Sequence, residues 1–364
     1  MIRQLKKITI QIISGANVAT ILVMLLVGNS DHFDPAIHPN IAMLGLGFPL
    51  LVFINLAFLV FWLFFKPRKA IIPIVGFILC YQPIRIFFPL NVNREIPKDA
   101  IKVISYNVYH IRYEEYKDTI NPILQYLLQQ EADIICMQEA GYGEKLRHYT
   151  DSVLSPQFPY HETLSTKANV CEVLAIYSRY PVIGKEIIEY GSSSNISGAF
   201  HLLIGNDSVI VINNHLQSIG YTNADKDAFS QMVNGTITEH QYAEEESKII
   251  VDKFKEAAKK RGPQADSVAN YIDRNEGKSI ILCGDFNDSP ISYTRRTLSQ
   301  KLVDCFVESG NGMGISYHEK NFYVHIDYIM CSKDWVPYQC HVDDNIAISD
   351  HYPVICWLKK RPNP

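Results

Sequence analysis

The sequence of 364 residues has no Cys-x-x-Cys pair. Its eight cysteines are scattered singly, so the spacing that a structural zinc site or a thiol redox motif needs is missing. Seven of them follow residue 91; an odd number cannot all pair with one another, and no disulfide is assigned. No internal repeat or low-complexity tract is present, which sets aside repeat arrays. Basic charge is scarce too. Beyond residue 100 there are 25 Lys and Arg against 34 Asp and Glu, a balance of about −9. Such a surface gains little from counterion release on a long polyanion, although acids neutralised by a metal would weaken that exclusion.

Charge of either sign is missing from long runs near the start. Residues 8–28 carry none, residues 41–65 carry none over 25 positions, and residues 70–90 are apolar apart from Gln82 and Arg85. A membrane-spanning helix needs about 20 apolar residues. The second run meets this best and the first meets it well, whereas Pro83 and Arg85 interrupt the third. Buried core helices seldom stay wholly apolar for so long. A cleavable signal peptide would account for the first run only, and no small-residue cleavage site follows it. Arg3, Lys6 and Lys7 precede the first run, residues 29–40 hold no Lys or Arg, and Lys66, Arg68 and Lys69 follow the second. By the positive-inside rule the N-terminus and residues 66–69 are cytoplasmic. If the third run spans, everything after about residue 91 is outside the cytoplasm; if not, it is inside. The expected organisation is a membrane region over 1–90 with about three spanning helices, a polar linker over 91–100, and a folded domain over 101–360.

In that domain short apolar strands alternate with turns. Strands are predicted at 101–107, 134–138, 173–177, 201–204, 209–213, 279–283, 326–331 and 353–358, with a hairpin turn at Gly205-Asn206-Asp207. Helices are predicted at 116–130 and 240–260, the second acidic at its start and basic at its end, as a solvated helix prefers. Strand hairpins mixed with helices point to an α/β or α+β layered fold.

The strand ends share a theme. "VISYNVYHI" delivers Asn107, "IICMQEA" Glu139, "VINNHLQS" Asn213 and His215, "CGDFN" Asp285 and Asn287, "HIDYI" Asp327, and "ISDHYPV" Asp350 and His351. Taken singly, each has a bland reading: Asn-Asp-Ser-Pro after Phe286 is good turn chemistry, Asp327 would cap a turn, and His215 would be a satisfied core histidine. Together they are costly to bury without a counter-charge. A hard divalent cation removes that cost, and oxygen ligands suit Mg²⁺ or Mn²⁺.

These stretches resemble the endonuclease/exonuclease/phosphatase superfamily, the DNase I-like metal-dependent phosphoesterases, over roughly residues 101–360. The "GDFN" with a downstream "SDH" carries the likeness. It implies a four-layer α-β-β-α sandwich of two mixed sheets with the site at one edge. It also implies Glu139 as the principal metal ligand with Asn107 and Asp350 at or near the ion, and Asp285 as the base that activates water. Asn287 would orient that water or the phosphate. His351, held by Asp327, and His215 would contact the phosphate. Many relatives have Arg where this chain has His325, and His loses its charge near neutral pH.

The resulting expectation is a Mg²⁺- or Mn²⁺-dependent hydrolase of phosphoesters, multi-pass in a bacterial cytoplasmic membrane, with its catalytic domain outside the cytoplasm. A phosphodiesterase or nuclease is the first reading, and a phospholipid or inositol-phosphate phosphodiesterase or phosphatase the second. A catalytically dead phospho-ligand sensor is the remote one. A basic, aromatic-lined groove would favour nucleic acid, and a short pocket facing the membrane would favour lipid. Tyr221, Tyr242 and the insert 220–275 are the expected specificity elements.

Overall fold

The three apolar runs form helices. The computed structural model describes residues 2–116, 119–141, 143–165, 172–192, 195–236 and 240–362, and the side chains of 240–242, Tyr242 included, lie outside the described set. Helix α1 (Ile2–Gly28) is followed by α2 (Pro39–Ala42), α3 (Phe48–Phe65), α4 (Ile71–Leu79) and α5 (Tyr81–Phe87). Pro39 and Pro49 sit in the first turn of α2 and α3, where a missing N–H costs nothing. Two segments, Ile2–His32 and Pro39–Phe65, are long and apolar enough to cross a membrane. The third run is bent by 68° between α4 and α5. Pro83 cannot donate to the carbonyl of Leu79, which accounts for the break.

Buried amides tie these helices together. Asn17 Nδ2 donates to Asn55 Oδ1, Trp62 Nε1 donates to Asn17 Oδ1, and Asn55 Nδ2 donates to the Pro73 carbonyl, each at 3.1 Å. All three side chains are buried.

The remainder is a sandwich of two six-stranded mixed sheets. One has the order β11-β12-β1-β2-β4-β3 and the other β5-β6-β7-β8-β10-β9. The strands are β1 (Ile101–Asn107), β2 (Ile134–Gln138), β3 (Tyr160–Ser165), β4 (Val173–Ser178), β5 (Val182–Ile187), β6 (Ile196–Ile204), β7 (Asp207–His215), β8 (Ser279–Asp285), β9 (Val303–Asp304), β10 (Asp327–Cys331), β11 (Trp335–Val342) and β12 (Val354–Lys360). β1 with β2 and β7 with β8 run parallel. Between the sheets lies a core that includes Val103, Ile134, Phe200, Val211, Ile281 and Val354. Helices α6 (Tyr113–Tyr116), α7 (Pro122–Gln129) and α8 (Glu144–Leu154) belong to the outer side of the first sheet, where Ile123, Leu127 and Leu154 cover Ile104 and Ile135. On the outer side of the second sheet Val268 and Ile272 of α10 (His240–Arg274) and Leu298 of α11 (Tyr293–Ser299) cover Ile210 and Leu282. Helices α9 (Asn223–Val233) and α12 (Cys305–Ser309) complete the set. The seven cysteines among the described residues are all free and buried.

Two helices differ from expectation. α7 starts at Pro122 because Asn121 caps it, its side chain accepting from the N–H groups of Ile123 and Leu124; residues 117–118 lie outside the described set. α10 continues through Pro263 to Arg274 because both sides of the proline are anchored by packing. Its basic end is also more than a solvated face: Arg261 is fully buried, with Nε 3.3 Å from Asp288 and Nη1 donating to the Gln217 carbonyl at 2.9 Å.

The sandwich sits on one end of the helices. Ile291 joins a buried cluster with Met24, Val27, Phe48, Cys80 and Phe87. Gly45 comes so close to the Ile291 carbonyl that a Cβ there would lie 2.0 Å from its oxygen. Arg296 of α11 reaches Asp31 at 4.0 Å. Residues 91–94 are stapled along the sandwich rather than free. Asn91 donates from Nδ2 to the carbonyls of Val307 (3.1 Å) and Gly310 (2.6 Å), and Arg94 donates to the Pro337 carbonyl at 3.0 Å while lying over Tyr338.

Candidate active site

Strand register brings the polar residues together. His215 is paired with Asp285 across β7 and β8, and Asp285 with Asp327 across β8 and β10. In the facing sheet Asn107 pairs with Gln138, which puts Glu139 next to it. The parallel β7–β8 approach requires a glycine beside Asp285: Gly284 has φ +142°, and a Cβ there would meet the Asn214 carbonyl oxygen at 2.1 Å.

The two sheets meet through Asn107, whose Nδ2 donates to Glu139 Oε1 at 3.1 Å and to Asp285 Oδ2 at 3.2 Å. Asp285 Oδ1 accepts the Asn287 backbone N–H at 2.8 Å, so Oδ2 is the oxygen turned to its other neighbours. His215 Nε2 lies 3.8 Å and His351 Nε2 3.7 Å from it. Each histidine is held from behind. His215 Nδ1 is 2.8 Å from Glu172, and His351 Nδ1 is 2.8 Å from Asp327. With Nδ1 committed to a carboxylate, both rings turn Nε2 toward the cleft. Asn287 Nδ2 donates to the Leu216 carbonyl at 3.1 Å. Ser349 Oγ donates to the Asn107 carbonyl at 2.7 Å and fixes the turn that carries Asp350. Glu139 (φ 48°) and Asn287 (φ 54°) both have left-handed backbone, a conformation that costs a Glu about 1 kcal/mol and that gathers at functional positions.

The charges perturb one another. Burial opposes protonation of His215, but Glu172, Glu139 and Asp285 outweigh it and push its pKa up to about 9. Burial likewise opposes protonation of His351, yet Asp327 and Asp285 push it up to about 10. Burial and the charge of Asp327 raise Asp285 to about 6, against the pull of His351, His215 and the Asn287 N–H.

Glu139, His215, Asp285, Asn287, Asp350 and His351 line one cleft of about 730 Å³. Asn107 and Asp327 reach it through the hydrogen bonds above. Asn213 does not: it donates to the Met137 and Ala175 carbonyls and accepts from Gln138, so it ties the sheets together. Tyr221 of the insert lines the cleft, as do Phe229 and Phe254. Sequence reading missed Glu172, an acid just ahead of a buried strand, and Tyr317, which lies edge-on to His351 at 5.0 Å. His325 stands apart from this chemistry. It is buried, stacked on Tyr328 at 4.6 Å and edge-on to Phe306 at 4.8 Å.

The donor set suits a hard divalent cation. Ligand atoms of Asp285, Asp327 and His351 lie within 4.8 Å of one another, and Asp327 Oδ1 is buried without a hydrogen-bond partner. Oxygen-rich clusters of this kind are what Mg²⁺ or Mn²⁺ takes.

A mixed two-sheet sandwich with carboxylates, amides and histidines at its strand ends fits a hydrolase of phosphoester bonds. The chain belongs to the Endonuclease/Exonuclease/phosphatase family, whose model matches residues 104–351. Enzymes of this family are generally dependent on a divalent metal. Residues 10–87 match a second family, described as a domain of unknown function (DUF8431). No curated protein matches the chain in sequence. Among solved structures, humanized D. rerio TDP2 is similar at 14% identity and a TM-score of 0.51, covering 72% of this chain and 99% of that one. The human Nocturnin catalytic domain is similar at 14% identity and 0.51, covering 72% and 93%. The endonuclease/exonuclease/phosphatase from Bacteroides vulgatus is similar at 15% identity and 0.50, covering 72% and 100%. At such identity these likenesses speak for the fold alone.

Proposed function

We propose that the chain is a membrane-anchored hydrolase that cleaves phosphoesters by direct attack of water with Mg²⁺ or Mn²⁺ bound. The observation that carries this reading is the position of Asp285 Oδ2 between Asn107, His215 and His351, with Glu139 beside it, sharing Asn107 Nδ2 and lying 3.7 Å from His215 Nε2. Glu139, Asn107 and Asp350 would hold the ion. Asp285, Asp327 and His351 are also close enough for one: the Asp327–His351 hydrogen bond uses Oδ2 and Nδ1 and leaves Asp327 Oδ1 without a partner. When bound, the cation neutralises charge on the phosphate oxygens and makes water more acidic.

The chain's own groups do the rest. Asp285 takes a proton from the attacking water, with its second oxygen pinned by the Asn287 N–H. Asn287 orients the water or the phosphate. His215 and His351 donate from Nε2 to phosphate oxygens as charge builds there. The water oxygen joins phosphorus, the P–O bond to the alcohol breaks, and the alcohol oxygen takes up a proton.

The division we adopt is a membrane region over 1–90, a linker over 91–100 and the phosphoesterase domain over 101–360. The sandwich packs against the connection between α1 and α3 and against the end of α5, both at one end of the helices. The basic residues 66–69 follow α3, whose 18 residues carry them about 27 Å from that end. By the positive-inside rule this supports a catalytic domain outside the cytoplasm of a bacterial cell. A panel of bis(4-nitrophenyl) phosphate, DNA, RNA, a phosphomonoester and phospholipids, each with Mg²⁺ and with EDTA, tests the activity. Turnover that survives EDTA, or no turnover of any member, overturns it. A C-terminal reporter active only outside the cytoplasm tests the orientation.

A further inference from the structure

The catalytic cleft has apolar lining as well as polar. It includes Phe229 of α9, Ile250 and Phe254 of α10, and Met43 and Leu46 from the connection between α1 and α3. Residues of the helical region thus complete a cleft whose chemistry belongs to the sandwich. Lys226 is the only Lys or Arg among the described residues that line it. That lysine is engaged by Glu319 and lies over the Tyr317 ring at 5.5 Å. A row of cations to follow a nucleic-acid backbone is absent from this lining, and such a row is what strand binding requires. Of the aromatic rings that line it, Phe229 and Phe322 stack at 3.8 Å and Phe322 and Tyr221 at 5.3 Å, while Tyr109 and Tyr323 are exposed.

The depth of Met43 and Leu46 follows from the helices. Leu46 precedes the first residue of α3 by two positions, and α3 is 18 residues long, about 27 Å and close to the thickness of a bilayer's hydrocarbon layer. With the helices in a membrane, Met43 and Leu46 lie at headgroup level. Phe33, Ile37 and Leu44 of the same connection are exposed, as suits a surface against lipid. Gly45 against Ile291 and Asp31 near Arg296 hold the connection to the sandwich, so the cleft stays at that depth.

We propose that the substrate is an amphiphile drawn from the bilayer: a phosphate ester carrying an apolar chain, its phosphate at Asp285 and His351 and its first methylenes along Met43, Leu46, Phe229 and Phe254. This rests on reading the cleft as a phosphoester hydrolase. Water adds to phosphorus, the P–O bond to one alcohol breaks, and the alcohol leaves protonated, as for any phosphoester.

The test uses the full chain with Mg²⁺ in phosphatidylcholine vesicles that contain phosphatidic acid, phosphatidylglycerol, phosphatidylethanolamine and phosphatidylinositol. Bis(4-nitrophenyl) phosphate and a dinucleotide serve as soluble arms. The wild type is expected to cleave at least one vesicle lipid and to prefer it to the dinucleotide. Met43→Asn with Leu46→Asn is expected to lower kcat/KM on that lipid roughly tenfold or more, and by a clearly larger factor than on the soluble diester. Met43→Leu with Leu46→Met restores the lipid activity, which separates a lost apolar wall from a misfolded chain. Cleavage of the soluble diester without cleavage of any vesicle lipid, preference for the dinucleotide, or equal loss on both arms overturns the amphiphile proposal and leaves the hydrolase reading standing. No cleavage of any probe overturns the hydrolase reading itself.

Discussion

Asn17 and Asn55 are buried among the apolar helices, and Asn107 and Asp285 are buried at the end of the sandwich; what differs is their company. In the helices each amide meets a neutral partner, an amide, an indole N–H or a carbonyl, and the polar atoms are matched one to one. At the sandwich end, carboxylates crowd one another. Asp285 is paired with Asp327 across two strands, shares Asn107 with Glu139, and has its pKa pushed up to about 6 by burial and by Asp327. Matched neutral groups hold helices at a fixed packing. Crowded carboxylates that two histidines only partly offset are destabilising until a cation arrives, which is how perturbed groups come to mark functional sites.

The contrast can be broken by exchanging amides and acids in each region. Asp285→Asn is expected to lower kcat on bis(4-nitrophenyl) phosphate by about 10²- to 10⁴-fold, while the melting temperature of the metal-free protein holds or rises because a crowded charge has gone. Retained turnover with a lower melting temperature would make Asp285 a structural group like Asn55. Next in size, Glu172→Gln should lower kcat about 10- to 100-fold. Losing the carboxylate disfavours the charged imidazole, so the pKa of His215 falls from about 9 and the alkaline limb of the rate profile moves to lower pH. An unmoved limb would mean that Glu172 does not act through His215. Asn55→Leu removes two cross-helix hydrogen bonds and is expected to cost about 1–2 kcal/mol in detergent unfolding, with soluble diester turnover unchanged within about twofold.

The smallest effect sharpens the comparison inside the sandwich. His325 is titratable but packed among rings, and burial holds its pKa below the usual histidine value despite the nearby Asp304 and Asp327. The folded chain keeps it neutral, so its contribution to stability is full above about pH 6.5 and is lost as pH falls, at no more than about 1.4 kcal/mol per pH unit. Denaturant unfolding between pH 7 and 5 should show a shallower loss in His325→Phe than in the native chain. Equal slopes would remove His325 from the account.

How much of this was legible in the sequence depended on where a strand sits. The eight strands read from apolar runs, β1, β2, β4, β6, β7, β8, β10 and β12, are the eight interior strands of the two sheets. The four missed, β3, β5, β9 and β11, are the four edges. An edge strand is half exposed, so its sequence mixes polar and apolar residues: Val-Ile-Gly-Lys-Glu-Ile in β5 is largely open to solvent, and β11 carries Pro337, which an edge tolerates. The residues that converge at the candidate site were legible for the complementary reason. Polar groups that end interior strands have no bland place to go, and Asn107, Glu139, Asp285, Asp327, Asp350 and His351 stood out against buried runs. Glu172 opens a strand beyond residues of mixed character and gave no such contrast. Met43 and Leu46 were illegible because an apolar residue in an apolar region signals nothing until another part of the chain docks on it.

The stapled segment after α5 has a mechanical consequence. With Asn91 bonded to the carbonyls of Val307 and Gly310 and Arg94 clasped at Pro337 and Tyr338, the catalytic unit has no slack line on which to swing through the surrounding fluid. For the bilayer amphiphile proposed above, collisions would then be set by traffic across a surface rather than through a volume. Rates should follow how densely a target is spread over that surface, and diluting the suspension should leave them alone.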